Sequence, residues 1–170
     1  HGPADERVTA VQHCNNTDFW VLTKDFNSTR FKSWLVTATG VSSVPVISNQ
    51  GTAINYYIGM LKASPDGRKI AATVKDINNP KWINRVELYD FNPATGIISN
   101  KVILPKFRTC PRNPKEGIYG IEFSPDGTKL YATAGCPSEI VQYDLCAGSS
   151  QNIKNSATVV FANSNPAAYN

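Results

Sequence analysis

The sequence is poor in the residues that form long helices and histidine-based sites. It has one methionine and two histidines among 170 residues, and no stretch rich in Ala, Leu, Glu and Lys that would predict a long helix. No run approaches the roughly 18 apolar residues of a membrane-spanning helix. These absences argue against a helical bundle, a membrane span and a metal site of the ordinary Cys/His pattern.

What is present favours many short strands. Hydrophobic residues make up 41% of the chain and charged residues 18%, while 11 glycines and 11 prolines are distributed along the chain as turn residues would be. This composition predicts a globular all-β protein. The net charge of +4 is small and no nucleic-acid recognition motif accompanies it, so we expect no nucleic-acid partner.

The sequence also lacks the common catalytic motifs. There is no GxSxG, HExxH, P-loop or GxGxxG pattern, and His13 is the only histidine inside the chain, where it is interpreted as a structural turn residue. We therefore predict no catalytic residue, no cofactor and no metal ligand. The chain begins at a histidine, which suggests a processed or truncated product.

A repeated tetrapeptide is the most informative feature. Ser-Pro-Asp-Gly occurs twice, 60 positions apart, flanked by similar alternating apolar residues. Asp-Gly is expected to supply the positive φ angles of a tight hairpin turn, and proline stands where strand pairing ends. The predicted structural turns are Ser64, Pro65, Asp66 and Gly67, and Ser124, Pro125, Asp126 and Gly127.

A second pair of similar segments, residues 86–91 and 140–145, completes a repeat of four strands. Four-stranded units of about 50–60 residues are typical of propeller blades. We predict an all-β partial β-propeller of about three four-stranded antiparallel blades in one segment, 1–170, with Asn15–Asp18 as the first blade's turn. The predicted blades are 6–50, 55–105 and 116–165. The predicted strands are 7–13, 18–24, 30–38, 43–48, 57–63, 68–75, 84–91, 98–104, 117–123, 128–134, 139–145 and 157–162.

Three blades leave the ring incomplete, because closed propellers usually have about four to eight. Each end of such an arc would expose a large apolar sheet face. The missing surface could come from the remaining blades of a longer chain, from another copy, or from a different protein that caps it.

Cysteines and rim residues provide the other candidates. The topology predicts that Cys110 and Cys136 lie on one rim and can form a disulfide, whereas Cys14 and Cys146 lie on the opposite rim, two blades apart. The connection from 101 to 116 is rich in cations. It is interpreted either as a rigid solvated link or as a binding rim for an acidic glycan or protein. The predicted binding-rim residues are Lys106, Phe107, Arg108, Arg112 and Trp82.

The strand pattern also predicts where other side chains point. Trp20 and Trp34 are expected to pack between blades. Three glutamates, Glu87, Glu122 and Glu139, alternate with apolar residues and are expected to face solvent.

The segments LKASPDG, YGIEFSPDGTKLYAT and QHCNNTDFWVLTKDFNSTRFKSWLVTATGVS resemble a group of secreted Bacteroidetes surface proteins. These carry propeller repeats and often a C-terminal type IX secretion sorting domain, and many are described as gliding-motility-associated. The resemblance covers nearly the whole chain and implies a propeller at the cell surface or outside the cell. No sorting domain is visible among these residues.

Three functions follow as hypotheses. The first is a non-catalytic module of a secreted or surface protein, acting in protein or glycan binding, adhesion or assembly. The second is a fragment of an enzymatic propeller of the lactonase or quinoprotein-like kind. The third is a filament or oligomer subunit that closes its open blade faces against another copy.

Overall fold

The computed structural model describes residues 3–76, 83–105, 117–134 and 138–163, which form three antiparallel sheets. The first sheet contains β1 (Ala4–Gln12), β2 (Phe19–Asp25), β3 (Phe31–Thr37), β4 (Gly40–Val41) and β5 (Val46–Ser48). The second contains β6 (Leu61–Ala63), β7 (Lys69–Asp76), β8 (Ile83–Asn92) and β9 (Ile97–Ile103). The third contains β10 (Ile118–Phe123), β11 (Lys129–Ala134), β12 (Glu139–Asp144) and β13 (Thr158–Ala162).

Within each sheet the strands pair in chain order, as expected for blades, and the first blade has one irregularity. Its outer strand is split, because β4 and β5 both pair with β3, through Val36–Val41 at one end and Phe31–Ser48 at the other. The sequence predicted a single strand over 43–48. The chain reverses between β3 and β4, in a turn that ends at Gly40, whose φ is +120°.

One short helix, α1 (Ser150–Asn155), lies between β12 and β13 and was not predicted. The Ser149 hydroxyl caps its first turn by accepting a hydrogen bond from the Asn152 N–H, as expected of a serine N-cap. Its buried side chain Ile153 packs in the core beside Leu88. Within the described ranges no helix has the length and apolarity to cross a membrane.

Two apolar clusters hold the blades together. The cluster between the first and second blades includes Leu22, Phe31 and Ile70, and the cluster between the second and third includes Leu88 and Leu130. The expectation that Trp20 packs between blades is confirmed: it is buried, and its Nε1–H donates to the Pro93 carbonyl of the second blade at 2.9 Å.

Both Ser-Pro-Asp-Gly segments form the same turn between the first two strands of a blade. In the first copy, the Gly67 N–H donates to the Ser64 carbonyl at 2.9 Å, and the Ser64 hydroxyl donates to Asp66 Oδ1 at 2.6 Å. Ser124, Asp126 and Gly127 repeat these contacts. Only the glycines have positive φ, +67° and +70°. The prediction that Asp-Gly together supply positive φ was therefore wrong: proline and aspartate occupy the middle of a type I turn that glycine ends.

The corresponding turn of the first blade is shifted from its predicted position. The Asn16 N–H donates to the His13 carbonyl at 3.0 Å and the His13 N–H to the Asp18 carbonyl at 2.9 Å, the pattern that Gly67 and Ser64 make. The equivalent segment is thus 13–16 and not 15–18. Asn16 replaces the glycine at φ +62°, a conformation that asparagine tolerates better than most residues.

Candidate binding surface

The interface between the first and second blades contains a buried ionic network centred on Glu87. The prediction that Glu87 and Glu139 face solvent was wrong, since they are 0% and 8% exposed, whereas Glu122 is exposed. Glu87 Oε1 accepts hydrogen bonds from Thr52 at 2.6 Å and Arg85 at 2.6 Å.

The second oxygen of the same carboxylate accepts a hydrogen bond from the Tyr89 hydroxyl at 2.5 Å. Burial alone raises the pKa of Glu87, but the hydrogen bonds from Thr52, Tyr89 and Arg85 outweigh it, so the pKa lies below its ordinary value. Burial and the adjacent Glu87 charge together hold the pKa of Tyr89 well above its ordinary value. At neutral pH the site therefore holds a carboxylate and a protonated phenol.

Arg7 of β1 is the second centre of this network, and it joins three parts of the chain. Its side chain is almost fully buried. It donates from Nε to the Thr73 carbonyl at 2.9 Å, from Nη2 to the Ile58 carbonyl at 3.0 Å and from Nη1 to Asp5 at 2.6 Å. A buried cation needs such partners to offset its lost hydration. Arg7 thus fastens the first blade to both β7 and the link that precedes β6.

Asp5 and Lys24 are two further buried charges at this joint. Their closest charged atoms are 3.9 Å apart. Burial raises the pKa of Asp5 even though Arg7 opposes this, and burial lowers the pKa of Lys24 even though Asp5 opposes it. The Lys24 ammonium donates to the Ser28 carbonyl at 2.8 Å. These contacts with opposite charges and carbonyls identify the network as a structural joint between blades.

The link 49–60 crosses this joint on the rim and carries a pair of tyrosines. The Tyr56 and Tyr57 rings stack at 6.1 Å with 24° between their planes. The Lys75 ammonium lies 5.3 Å from the centre of the Tyr56 ring, while Tyr57 remains 57% exposed. The sequence predicted a strand from 57, but the ladder begins only at Leu61, because side chains of Arg7 and its neighbours hold the preceding backbone.

The face of the first blade directed away from the second blade is the other notable surface, and we call it the open face. Strand register places Val8, Phe19, Val36 and the half-buried Trp34 on it. Trp34 therefore does not pack between the described blades as predicted. Val8 is 58% and Phe19 47% exposed, so the open face presents a contiguous apolar patch of the kind that marks an interaction site.

A groove of about 480 Å³ lies between the turns of the first two blades, which join the first two strands of each blade. Its lining includes His13, Asn16 and Arg68, and it is bounded by an ion pair between Lys62 and Glu122 at 2.7 Å. Charges of both signs line this groove, so it has no evident preference for ligand charge.

Several predicted site residues lie outside the described ranges. They are Trp82, Lys106, Phe107, Arg108 and Arg112 of the proposed binding rim, and Cys110 and Cys136 of the proposed disulfide. Cys14 and Cys146 are exposed free thiols. Within the described ranges no three His, Cys, Asp or Glu side chains cluster as metal ligands would.

The three antiparallel sheets, in which the strands pair in chain order and the first has a split outer strand, define the chain as a β-propeller fold. Its neighbours among solved structures include a β-propeller domain. A protein from Lactobacillus plantarum matches 95% of this chain with a TM-score of 0.53 and 16% identity, over 44% of its own length. The β-propeller domain of Cps50 (Swd1) from Myceliophteria thermophila matches 96% with a TM-score of 0.52 and 10% identity, over 43% of its length.

A third neighbour, a protein suggested to be a 6-phosphogluconolactonase from Bacteroides uniformis, matches 94% of the chain with a TM-score of 0.53 and 15% identity, over 42% of its length. The chain therefore spans less than half the length of these three proteins, and at such identities they show the fold alone. No protein-family model and no curated protein sequence matches the chain.

Proposed function

We propose that the chain is a non-catalytic binding and assembly module of a secreted or cell-surface protein, and that its open face packs against another propeller blade. The observation that carries this is an equivalence between blades. Phe19 occupies the position of Ile70 in the second blade and Leu130 in the third, because each follows the same turn by the same number of residues.

Strand pairing extends the equivalence across the sheet. Phe19 is opposite Val36, as Ile70 is opposite Tyr89 and Leu130 is opposite Tyr143. In the second and third blades these four side chains are at most 1% exposed, because the preceding blade covers them. The first blade has apolar side chains at the same positions and no preceding blade among the described residues.

Burial of this face would favour association. Full burial of a Val, Leu, Ile or Phe side chain contributes about 1.5–3 kcal/mol, and the open face offers two such side chains that are now about half exposed, Val8 and Phe19. The partner that fits is a blade presenting its own apolar face. The remaining blades of a longer chain and a blade of another copy both meet this description. The surface location rests on the resemblance of the repeats to secreted Bacteroidetes proteins.

Sedimentation of the 170-residue chain tests the proposal. We expect concentration-dependent association above 18.6 kDa through the open face, and Phe19→Glu should return the chain to a monomer. Ile97→Glu is the matched control, since Ile97 is 48% exposed on the second blade. Circular dichroism shows whether each variant is folded. A wild-type monomer would exclude a blade of another copy as the partner, and an oligomer that folded Phe19→Glu leaves intact would contradict packing through the open face.

A second candidate is a fragment of an enzymatic propeller, favoured by the similarity to the suggested 6-phosphogluconolactonase. A quinoprotein-like fragment is the other form of this alternative. The lactonase form predicts that the chain, alone or joined to further blades, accelerates hydrolysis of 6-phosphogluconolactone above the rate in buffer. A rate equal to that in buffer for both preparations would exclude the lactonase form.

A further inference from the structure

The tyrosine pair on the link between the first two blades has an unusual arrangement. Neighbouring side chains of an extended backbone point to opposite sides, so the stacking of Tyr56 on Tyr57 requires the link to bend. The bend follows Ile54, which is 1% exposed and anchors the link in the core. It therefore brings two consecutive rings together on the surface.

Hydrogen bonds hold the link on both sides of the pair. Before it, the Asn55 N–H donates to Asp76 Oδ2 at 3.4 Å. After it, the Ile58 carbonyl accepts from buried Arg7 at 3.0 Å, and the Gly59 N–H donates to Glu6 Oε1 at 3.0 Å. The Tyr57 carbonyl itself accepts from the Glu6 N–H at 3.3 Å. The backbone that carries the rings is thus held on both sides, so that binding would cost little backbone ordering entropy.

The buried Arg7 side chain leaves no room for a side chain at Gly59. A Cβ atom added there would lie 2.5 Å from Arg7 Nη2, closer than atoms can approach. The glycine lets the link pass directly over the buried guanidinium, and the guanidinium in turn fixes the carbonyl next to the tyrosines. The ionic joint between blades therefore also positions the exposed aromatic pair.

We propose that the Tyr56–Tyr57 pair is a carbohydrate-binding platform in which the exposed Tyr57 ring stacks on the apolar face of a pyranose. Tyrosine combines a rigid apolar ring with a polar hydroxyl, which suits a ligand that has both C–H faces and hydroxyl edges. The exposed carboxylate of Glu6, bonded to the same link, is placed to accept sugar hydroxyls.

The stacking favours a sugar over a protein partner. A tyrosine that anchors a protein interface inserts into a pocket of the partner, but one side of Tyr57 is already packed on Tyr56. What remains is a broad, flat ring surface, and Lys75 beside Tyr56 adds a cation at its margin. This inference deepens the proposed binding role and does not depend on what covers the open face.

Affinity electrophoresis in native gels tests the platform, with laminarin and galactomannan as neutral polysaccharides and alginate as an acidic one. We expect at least one neutral polysaccharide to retard the 170-residue chain. Tyr57→Ala should weaken this binding by about tenfold, which corresponds to about 1.4 kcal/mol, while Tyr57→Phe keeps the ring and most of the affinity. Phe161→Ala is the matched control, since Phe161 is 53% exposed on β13.

Three outcomes would overturn the inference. They are no retardation by either neutral polysaccharide, equal retardation of wild type and Tyr57→Ala, and an equal loss in Phe161→Ala. Retardation by alginate alone that survives Tyr57→Ala would instead indicate binding through the net positive charge. Sedimentation of the same samples reports association through the open face separately, so failure of the platform is distinguishable from failure of the assembly role.

Discussion

Equivalent faces of the first and second blades differ in what covers them. The face of the second blade is covered by the first blade, and the equivalent face of the first blade is the open face. On the second blade, Ile70 and Tyr89 are at most 1% exposed, beneath Phe31 and its neighbours from the first blade. On the first blade, Phe19 at the position of Ile70 is 47% exposed. The strands that carry these positions pair in the same register, so the difference in exposure comes from the neighbouring blade and not from the strands themselves.

The two faces also differ in chemistry at one position. Register places Trp34 of the first blade, Glu87 of the second and Val141 of the third at the same point of the sheet. The covered face of the second blade thus includes a carboxylate where the other two have apolar side chains. A buried carboxylate requires fixed partners, and Thr52, Arg85 and Tyr89 supply them to Glu87. On the open face the equivalent position is apolar, and the buried charges of that face, Lys32 and Asp25, pair with each other at 2.6 Å.

The largest expected difference in the free energy of unfolding is between substitutions of Glu87 and of Trp34, which occupy equivalent positions. Glu87→Ala should lower the free energy of unfolding by about 3 kcal/mol or more, because Arg85 and Tyr89 lose their acceptor within a buried interface. Trp34→Ala on the open face should cost about 1 kcal/mol, as is common for partly exposed sites. Urea denaturation of both variants measures the difference. A loss in Trp34→Ala that equals or exceeds that in Glu87→Ala would break the comparison.

A smaller difference in the free energy of unfolding is expected between substitutions of Ile70 and of Phe19, which occupy equivalent positions. Ile70→Ala should cost about 2–4 kcal/mol, because it opens a cavity in a packed interface, whereas Phe19→Ala should change the stability of the monomer by less than about 1 kcal/mol. Both variants are measured by urea denaturation at protein concentrations low enough to prevent association. Similar losses at the two positions would show that the described blades already bury Phe19 in solution.

The smallest effect concerns the turns and their pH dependence. Hydrogen bonds from Ser124 and Thr128 lower the pKa of Asp126 to about 2, whereas an unfolded aspartate has a pKa near about 3.9. The unfolded chain therefore binds more protons between these values, and the stabilisation present above pH 4 is lost as the pH falls toward 2. The first blade has uncharged Asn15 at the equivalent position.

Asp126→Asn installs the first blade's residue and removes this titration. We expect the stability advantage of wild type over Asp126→Asn to shrink as the pH falls from 4 to 2, measured by thermal unfolding at each pH. Asp18→Asn in the first blade's turn serves as the control. An advantage that stays constant across this range would show that Asp126 is not held by these hydrogen bonds in solution.

Much of the fold could be predicted because its signals are local. Alternating apolar residues around each Ser-Pro-Asp-Gly segment indicate two strands and the turn between them, and the repeat indicates that the unit recurs. The split outer strand and α1 were missed, because they occur where the blades differ. Helix α1 is six residues long and too short for a periodic pattern to stand out.

The buried charges were harder to predict, although one signal was available. Aligning the repeated segments 86–91 and 140–145 places Glu87 opposite Val141, a charged residue where the other copy is apolar. That mismatch indicates a special environment but does not identify the partner Thr52, which is distant in sequence. The tyrosine pair gave no signal, because two tyrosines in a strand pattern are expected to point apart.

The amino-acid sequence by itself determined the class of fold, the turns and most strands, because backbone preferences and side-chain alternation act over a few residues. The tertiary structure alone decided which face of each blade is covered, that Glu87 and Arg7 are buried, and that Tyr56 and Tyr57 stack on the rim. These properties depend on contacts between segments far apart in the chain. A side chain's burial is set by the surface packed against it, and local sequence does not contain that surface.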